Sequence, residues 1–217
     1  MIDWGVAASL ATAAGTLVLA VATFASTRSA NRAARTAERA LLQGLRPILL
    51  PSRWTDGVQK IHYMDDHWLV VPGGRAVLEV TPDVAYLGLA VRDVGQGPAV
   101  IDAWDLPSDR GADHRPLDRF HRLGRDLYVP AGDPGFVQIA VRDPNSPAYA
   151  LLSRAFAAHD VVWVDVLYAD VEGSQHFVTR FALTPAPHPD PDAEADGRTW
   201  ALSESRHWNL GHPDPRR

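Results

Sequence analysis

The segment VVWVDVLYADVEGSQHFVTRFAL, residues 161–183, decides the fold class. Two runs rich in Val, Tyr, Phe and Trp flank the short turn VEGS at 171–174. β-Branched and aromatic residues suit a pleated, half-buried surface, and a short Gly-containing turn joins antiparallel strands. The segment reads as a β-hairpin. The same vocabulary runs upstream through RPILLPS, HWLVVP, RAVLEVT, AYLGLAVRDVG, AVIDAWDL and FVQIAVRD. PGG at 72–74, GQGP at 95–98 and AGDPG at 131–135 supply the turns. With VVWVDVLYAD and QHFVTRFALT this makes about eight short strands. Within the region only PAYALLSRAFAAH, 147–159, has helical spacing, and its Leu151, Leu152, Ala155 and Phe156 would cap one end of a sheet. The expected fold is mainly β, an antiparallel β-sandwich of two sheets over residues 46–184.

Before Pro47 the pattern is different. From Trp4 to Ala25 there are 22 residues without a charge. As a helix they span about 33 Å, against a bilayer core of about 30 Å. Asp3 precedes the run and no Lys or Arg does, which does not suit a cleaved signal peptide. A buried core helix would be shorter and carry a polar face. Arg28, Arg32, Arg35 and Arg39 follow at spacings that share one helical face, and Gly44 and Pro47 end the pattern. Residues 1–45 are therefore expected to form one transmembrane helix that continues into an arginine-striped juxtamembrane helix. The positive-inside rule places the amino terminus outside and the body in the cytoplasm, with Trp4 at the outer interface.

The arginine stripe has two readings. It is a topology signal lying against anionic lipid headgroups, or it flanks a short parallel coiled coil along Ala30, Ala34, Ala37 and Leu41. Ala7, Ala11 and Gly15 form a small-residue row that would also serve a homodimer, or that arises by chance in an Ala-rich helix.

The order LAVRDVGQGPAVIDAW, LYVPAGDPGFVQIAV and VVWVDVLYADVEGSQHF resembles bacterial immunoglobulin-like sandwich modules of the CARDB type, over about residues 85–184. The resemblance lies in turn and strand devices. At Asp93 the chain departs from the family's usual Asn. It implies the fold; the adhesive, extracellular role of that family disagrees with the arginine collar. The expected location is thus the bacterial inner membrane, single-pass.

Composition narrows the chemistry. The net charge is −5, but residues 26–46 carry +4 and residues 47–217 carry −8. An acidic body repels phosphate backbones, so nucleic acid is not an expected partner. There is no Cys, which excludes a disulfide scaffold, a thiol nucleophile and a Cys zinc site. No nucleophile elbow, phosphate-binding loop, His-Glu-x-x-His or dinucleotide fingerprint occurs, so no catalytic residue and no cofactor is implied.

HYMDDHW at 62–68 gathers His62, Asp65, Asp66 and His67, the nearest to candidate metal ligands; without a standard zinc spacing the stretch reads as a solvated polar loop, and no metal is expected. Residues 185–197 are Pro-rich and acidic and read as an extended loop. Residues 198–210 regain Trp200 and Trp208 and are expected to pack back on the sandwich or on a partner, with Trp200, Arg206, His207 and Trp208 as contacts. Residues 211–217 read as a disordered tail. The 52–68 and 107–126 stretches are the other expected contact surfaces, and 107–126 is read either as a loop or as hiding a further element.

The function expected from all this is a membrane-anchored binding or scaffolding module, or an accessory subunit of a membrane assembly, with a protein partner. The alternatives are a membrane-tethered metal-dependent hydrolase using the 62–67 cluster with His207, and an extracytoplasmic adhesive module if the topology is reversed.

Overall fold

In the computed structural model the described residues are 4–111, 113–114, 116–185 and 198–211. The side chains of Trp4, Arg39, Gln43 and residues 6–11 lie outside the described set, as do the 186–197 segment and the 212–217 tail. The expectations placed on Trp4, Arg39, Ala7, Ala11, the acidic loop and the tail fall there. The chain divides into two compact units, Met1–Gly44 and Leu45–Arg217.

The first unit is the helix α1, Trp4–Gly44, 41 residues long. Ala and Leu favour it, and Gly44 ends it before Pro47. Leu17, Val18, Leu19, Val21 and Phe24 are 62–69% exposed. At about 100° per residue Leu17, Val18, Val21 and Phe24 fall within about 120° of one another, and Leu19 lies roughly opposite. The Thr16 and Thr27 hydroxyls donate to the carbonyls of Thr12 and Thr23, at 2.9 and 2.8 Å. Arg28, Arg32 and Arg35 are exposed. Among the described residues no helix is long and apolar enough to cross a membrane.

The second unit is built from antiparallel strands. They are β1 (Leu49–Pro51), β2 (Gln59–His62), β3 (Trp68–Val71), β4 (Arg75–Val80), β5 (Ala85–Asp93), β6 (Ala99–Asp105), β7 (His121–Val129), β8 (Pro134–Val141), β9 (Val162–Ala169), β10 (His176–Pro185) and β11 (Thr199–Asn209). The helix α2, Pro147–Ala158, joins β8 to β9. Nine strands form one sheet in the order β1-β5-β4-β11-β10-β9-β6-β7, with β8 on the other side of β5. β2 and β3 pair as a separate ribbon.

The hairpin of the opening segment is β9–β10, with Ala169 opposite His176. Its turn is organised by Asp170, whose Oδ1 accepts from Ser174 N at 2.7 Å and whose Oδ2 accepts from Ser174 Oγ at 2.6 Å. Burial pushes this carboxyl up, but the Ser174 and Gln175 bonds outweigh it and hold the group below the usual carboxylate range. α2 begins where Ser146 Oγ accepts from Tyr149 N (3.2 Å) and ends at His159, which adopts the left-handed conformation. Its Leu152 and Ala155 are buried, and Leu151 and Phe156 pack at the core margin.

The body has two apolar clusters, and β5 belongs to both. Ala85, Leu87, Leu89 and Val91 enter the larger cluster, while Tyr86 and Ala90 enter the smaller one under the β2–β3 ribbon. A strand covered on both faces loses the apolar–polar alternation and reads as a continuous apolar run. Gly88 lies beneath the ribbon: a Cβ there would meet Ile61 Cδ1 at 2.7 Å and Val71 Cγ2 at 2.8 Å.

Three strands were not expected. β2 is four residues with one buried side chain, Ile61. β7 is exposed along most of its length, so it shows no apolar periodicity. It begins directly after a short 3-10 turn, Leu117–Arg119, inside the 107–126 stretch. β11 is the expected Trp-containing segment; it packs back as a full strand along β10 and also pairs at Thr199–Ala201 with β4.

Asp93, the residue that departs from the resembled family, is fully buried. Its Oδ1 accepts from Ile48 N (2.9 Å) and Gly95 N (2.7 Å), which ties the entering chain to the 95–97 turn. Oδ2 is buried without a hydrogen-bond partner among the described residues. Burial pushes the carboxyl up, against the pull of the backbone N–H groups. A raised folded pKa means that the stability linked to the protonated group is complete below the unfolded value of about 3.9 and is lost as pH rises through the folded value. Asp93→Asn keeps the acceptor and removes the charge. Thermal melts should show the variant more stable than the parent at pH 7, by about 1 kcal/mol. The gap should shrink as pH approaches 4, and a gap independent of pH would contradict the assignment.

Candidate functional site

The 62–67 cluster forms the turn of the β2–β3 ribbon, where Asp66 takes a positive φ of 61°. His62 pairs with Asp66, while Asp65 and His67 both contact Tyr86. His62 Nε2 lies 3.1 Å from Asp66 Oδ1, and the His62 ring stacks on Trp68 at 4.3 Å. His67 Nε2 lies 2.9 Å from Glu79 Oε2, and its ring stacks on Tyr86 at 4.0 Å. Asp65 Oδ2 accepts from Tyr86 Oη at 2.8 Å and from Arg142 Nη2 at 3.3 Å. Burial raises the Asp65 carboxyl, but these two bonds outweigh burial and leave it lowered. Among the described residues no three His, Asp or Glu side chains converge on one point. These contacts hold the ribbon on β4, β5 and Arg142.

The carboxy-terminal contacts are also internal. Trp200 is fully buried and its Nε1 donates to Asp160 O at 3.1 Å. Trp208 is buried under the Arg180 guanidinium, 5.2 Å from its ring centre, with Arg206 at 6.0 Å. His207 Nε2 lies 3.2 Å from Arg46 Nη2. Arginine only donates, so Nε2 accepts and Nδ1 carries the proton. Nδ1 faces Thr179 Oγ1 at 3.1 Å and Tyr168 Oη at 3.3 Å, and Tyr168 Oη accepts from Leu49 N at 3.1 Å. This network fastens residues 46–49 to the sheet. Trp200 and Trp208 have no surface left for a partner, because the chain's own strands use it.

A buried ion pair lies beside it. Arg180 Nε and Nη2 donate to Asp165 Oδ1 and Oδ2 at 2.6 and 2.7 Å, with both side chains at most 1% exposed. The remaining donors reach the carbonyls of Arg110, Gly111 and Asp113, which pins the 107–116 stretch. Burial pushes the Asp165 carboxyl up even though Arg180 pulls it down.

Among the described residues a cleft of about 430 Å3 opens on the body. It is lined by β7 at 121–125, β8 at 138–141, the 142–148 segment, and Tyr63, Met64 and Trp104. β7 ends the sheet path, β8 flanks β5 off that path, and the two are consecutive in the chain. At their shared turn they are close, since a Cβ on Gly135 would meet Val129 at 2.9 Å. Away from the turn no register pairs them among the described residues. β8 pairs with β5 without a break over eight positions, Pro134–Val141. β7 is irregular. Ile101 faces Leu127 and Ala103 faces Arg122, so Leu123–Asp126 bulge away from β6.

Arg122, Arg125 and Arg142 line the cleft together with His121, whose ring stacks on buried Trp104 at 4.6 Å. Arg125 Nη2 donates to Gln138 Oε1 at 2.5 Å, linking the cleft's two sides. Asp143 is the single carboxylate among the lining residues, and its Oδ1 already accepts from Asn145 N at 2.9 Å. An arginine-lined cleft thus sits in a body whose charge is −8. Two of the stretches expected to carry contacts, 52–68 and 107–126, meet here. Arg142, Gln138 and the β8 edge had no signal in the sequence, because nothing local says that β7 and β8 stay unpaired.

A scan of the chain against protein-family models matches none of them, and comparison with curated proteins returns no match.

Proposed function

We propose that the protein is a single-pass membrane-anchored binding module that presents its β body to the cytoplasm, alone or as an accessory subunit of a membrane assembly. One observation carries the reading: Leu17, Val18, Leu19, Val21 and Phe24 are all exposed on α1. The uncharged run from Trp4 to Ala25 has the length of a bilayer core, and Arg28, Arg32 and Arg35 follow it on the side that the positive-inside rule assigns to the cytoplasm. The body is read as an immunoglobulin-like sandwich of the CARDB type. Supporting that, β4 and β11 pair over three residues only, a corner between a β8-β5-β4 layer and a β11-β10-β9-β6-β7 layer, with the large apolar cluster drawn from both.

The test is fractionation of cells expressing the full chain. It should pellet with membranes, stay there in alkaline carbonate, and keep its body intact when protease is added to spheroplasts. Recovery in the aqueous fraction without detergent, or cleavage of the body from outside, would sink the proposal.

A further inference from the structure

We infer that the β7–β8 cleft is a docking site for an extended acidic peptide segment of a partner protein, which pairs as a strand along the outer edge of β8. The inference deepens the binding-module reading and rests on it.

β8 is the suitable template. It is regular over its length, and its inner edge is filled by β5 while its outer edge has no strand partner among the described residues. Such an edge presents a row of backbone donors and acceptors, which extended peptides take up by strand addition. On the opposite side the bulge of Leu123–Asp126 moves β7 out of register with β6, leaving room beside β8 rather than a closed pair. Bulges of this kind re-aim side chains next to sites.

Charge selects the occupant. A strand on β8 lies between Arg142, which also reaches Asp65 Oδ2 at 3.3 Å, on one side and Arg122 and Arg125 on the other, with one carboxylate, already engaged, among the lining residues. Carboxylates from alternate positions of the peptide reach these guanidiniums, where charge-assisted pairs are strong. The intervening positions face Trp104 and Leu123, which favours small apolar residues there. Arg125 now holds the neutral Gln138 amide, a partner that a carboxylate replaces with gain. Basic segments are repelled locally, and the acidic remainder of the body excludes anions elsewhere.

The probes are fluorescently labelled hexapeptides with the repeat Glu-Val, the same repeat with Lys for Glu, and the Glu-Val peptide with alternate amides N-methylated. Binding to the full-length chain in detergent micelles is read by fluorescence anisotropy. The Glu-Val peptide should bind and the Lys-Val peptide should not. N-methylation should weaken binding at least about tenfold, since it removes two or more hydrogen bonds at about 1 kcal/mol each. Arg122→Ala should weaken it about tenfold with an unchanged unfolding midpoint, as an exposed charged contact does. Absence of Glu-Val binding to folded protein overturns the inference. So does equal binding of the N-methylated peptide, or full displacement by millimolar inorganic phosphate with no effect of N-methylation, because either marks a simple anion site. The membrane fractionation is read separately: failure of peptide binding with membrane retention sinks the docking site alone, and an aqueous chain that binds the peptide sinks the anchor alone.

Discussion

Arg180→Met should be the most damaging single substitution in the body. With Asp165 retained, the variant leaves an uncompensated carboxylate in a site where both partners are at most 1% exposed. Breaking such a pair from one side costs about 3–5 kcal/mol, a large fraction of the 5–15 kcal/mol typical of a domain. The carbonyls of Arg110, Gly111 and Asp113 lose their donor at the same time, so cleavage by protease should concentrate in residues 107–116. Denaturant melts at several pH values check the mechanism. Asp165 already has its carboxyl raised by burial, and without Arg180 it rises further. A raised folded pKa means stability lost as pH rises through it, so the variant should be better folded at pH 5 than at pH 8. The double variant Arg180→Met with Asp165→Leu should recover most of the loss, because apolar replacement of both charges is often neutral. A single variant within 1 kcal/mol of the parent would show that water reaches the pair.

Gly97→Ala should come next, for a steric reason. A Cβ at Gly97 would lie 1.9 Å from Leu45 O and 2.7 Å from Leu45 C, and one at Gly95 would lie 2.2 Å from Arg46 O. These neighbours are backbone, so no rotamer change relieves them. Residues 45–48 would have to lift off the turn, which breaks the Ile48–Asp93 bond and loosens Arg46 from His207. The expected loss is at least about 2 kcal/mol in a chemical melt. Gly57→Ala is the control: its Cβ would meet nothing within 4 Å, and the change should stay within about 0.5 kcal/mol. Equal effects of the two would refute the close approach.

Some of this was legible beforehand. The helix end at Gly44 and the hairpin turn at 170–175 follow from residues that act locally, Gly, Pro and Asp, so strings of neighbours suffice to find them. The hairpin register also sets Asp165 opposite Arg180, and the sequence holds that pairing in outline. It does not hold the burial, which depends on Trp208 from β11 and on the 107–116 stretch. The contacts of 62–67 have a related origin: proximity in sequence pairs His62 with Asp66, but Glu79, Tyr86 and Arg142 reach Asp65 and His67 only through the fold.

The sequence by itself determined the mainly antiparallel β character of the body, the long amino-terminal helix and most strand positions, because side-chain period and turn chemistry act over a few residues. The tertiary structure decided the sheet order, the ion pair inside it, the contacts of Asp65 and His67 with Tyr86, Glu79 and Arg142, and the open edge of β8 beside three arginines. Those depend on which distant strands meet, and that is set by burial summed over the whole body rather than by any neighbourhood along the chain.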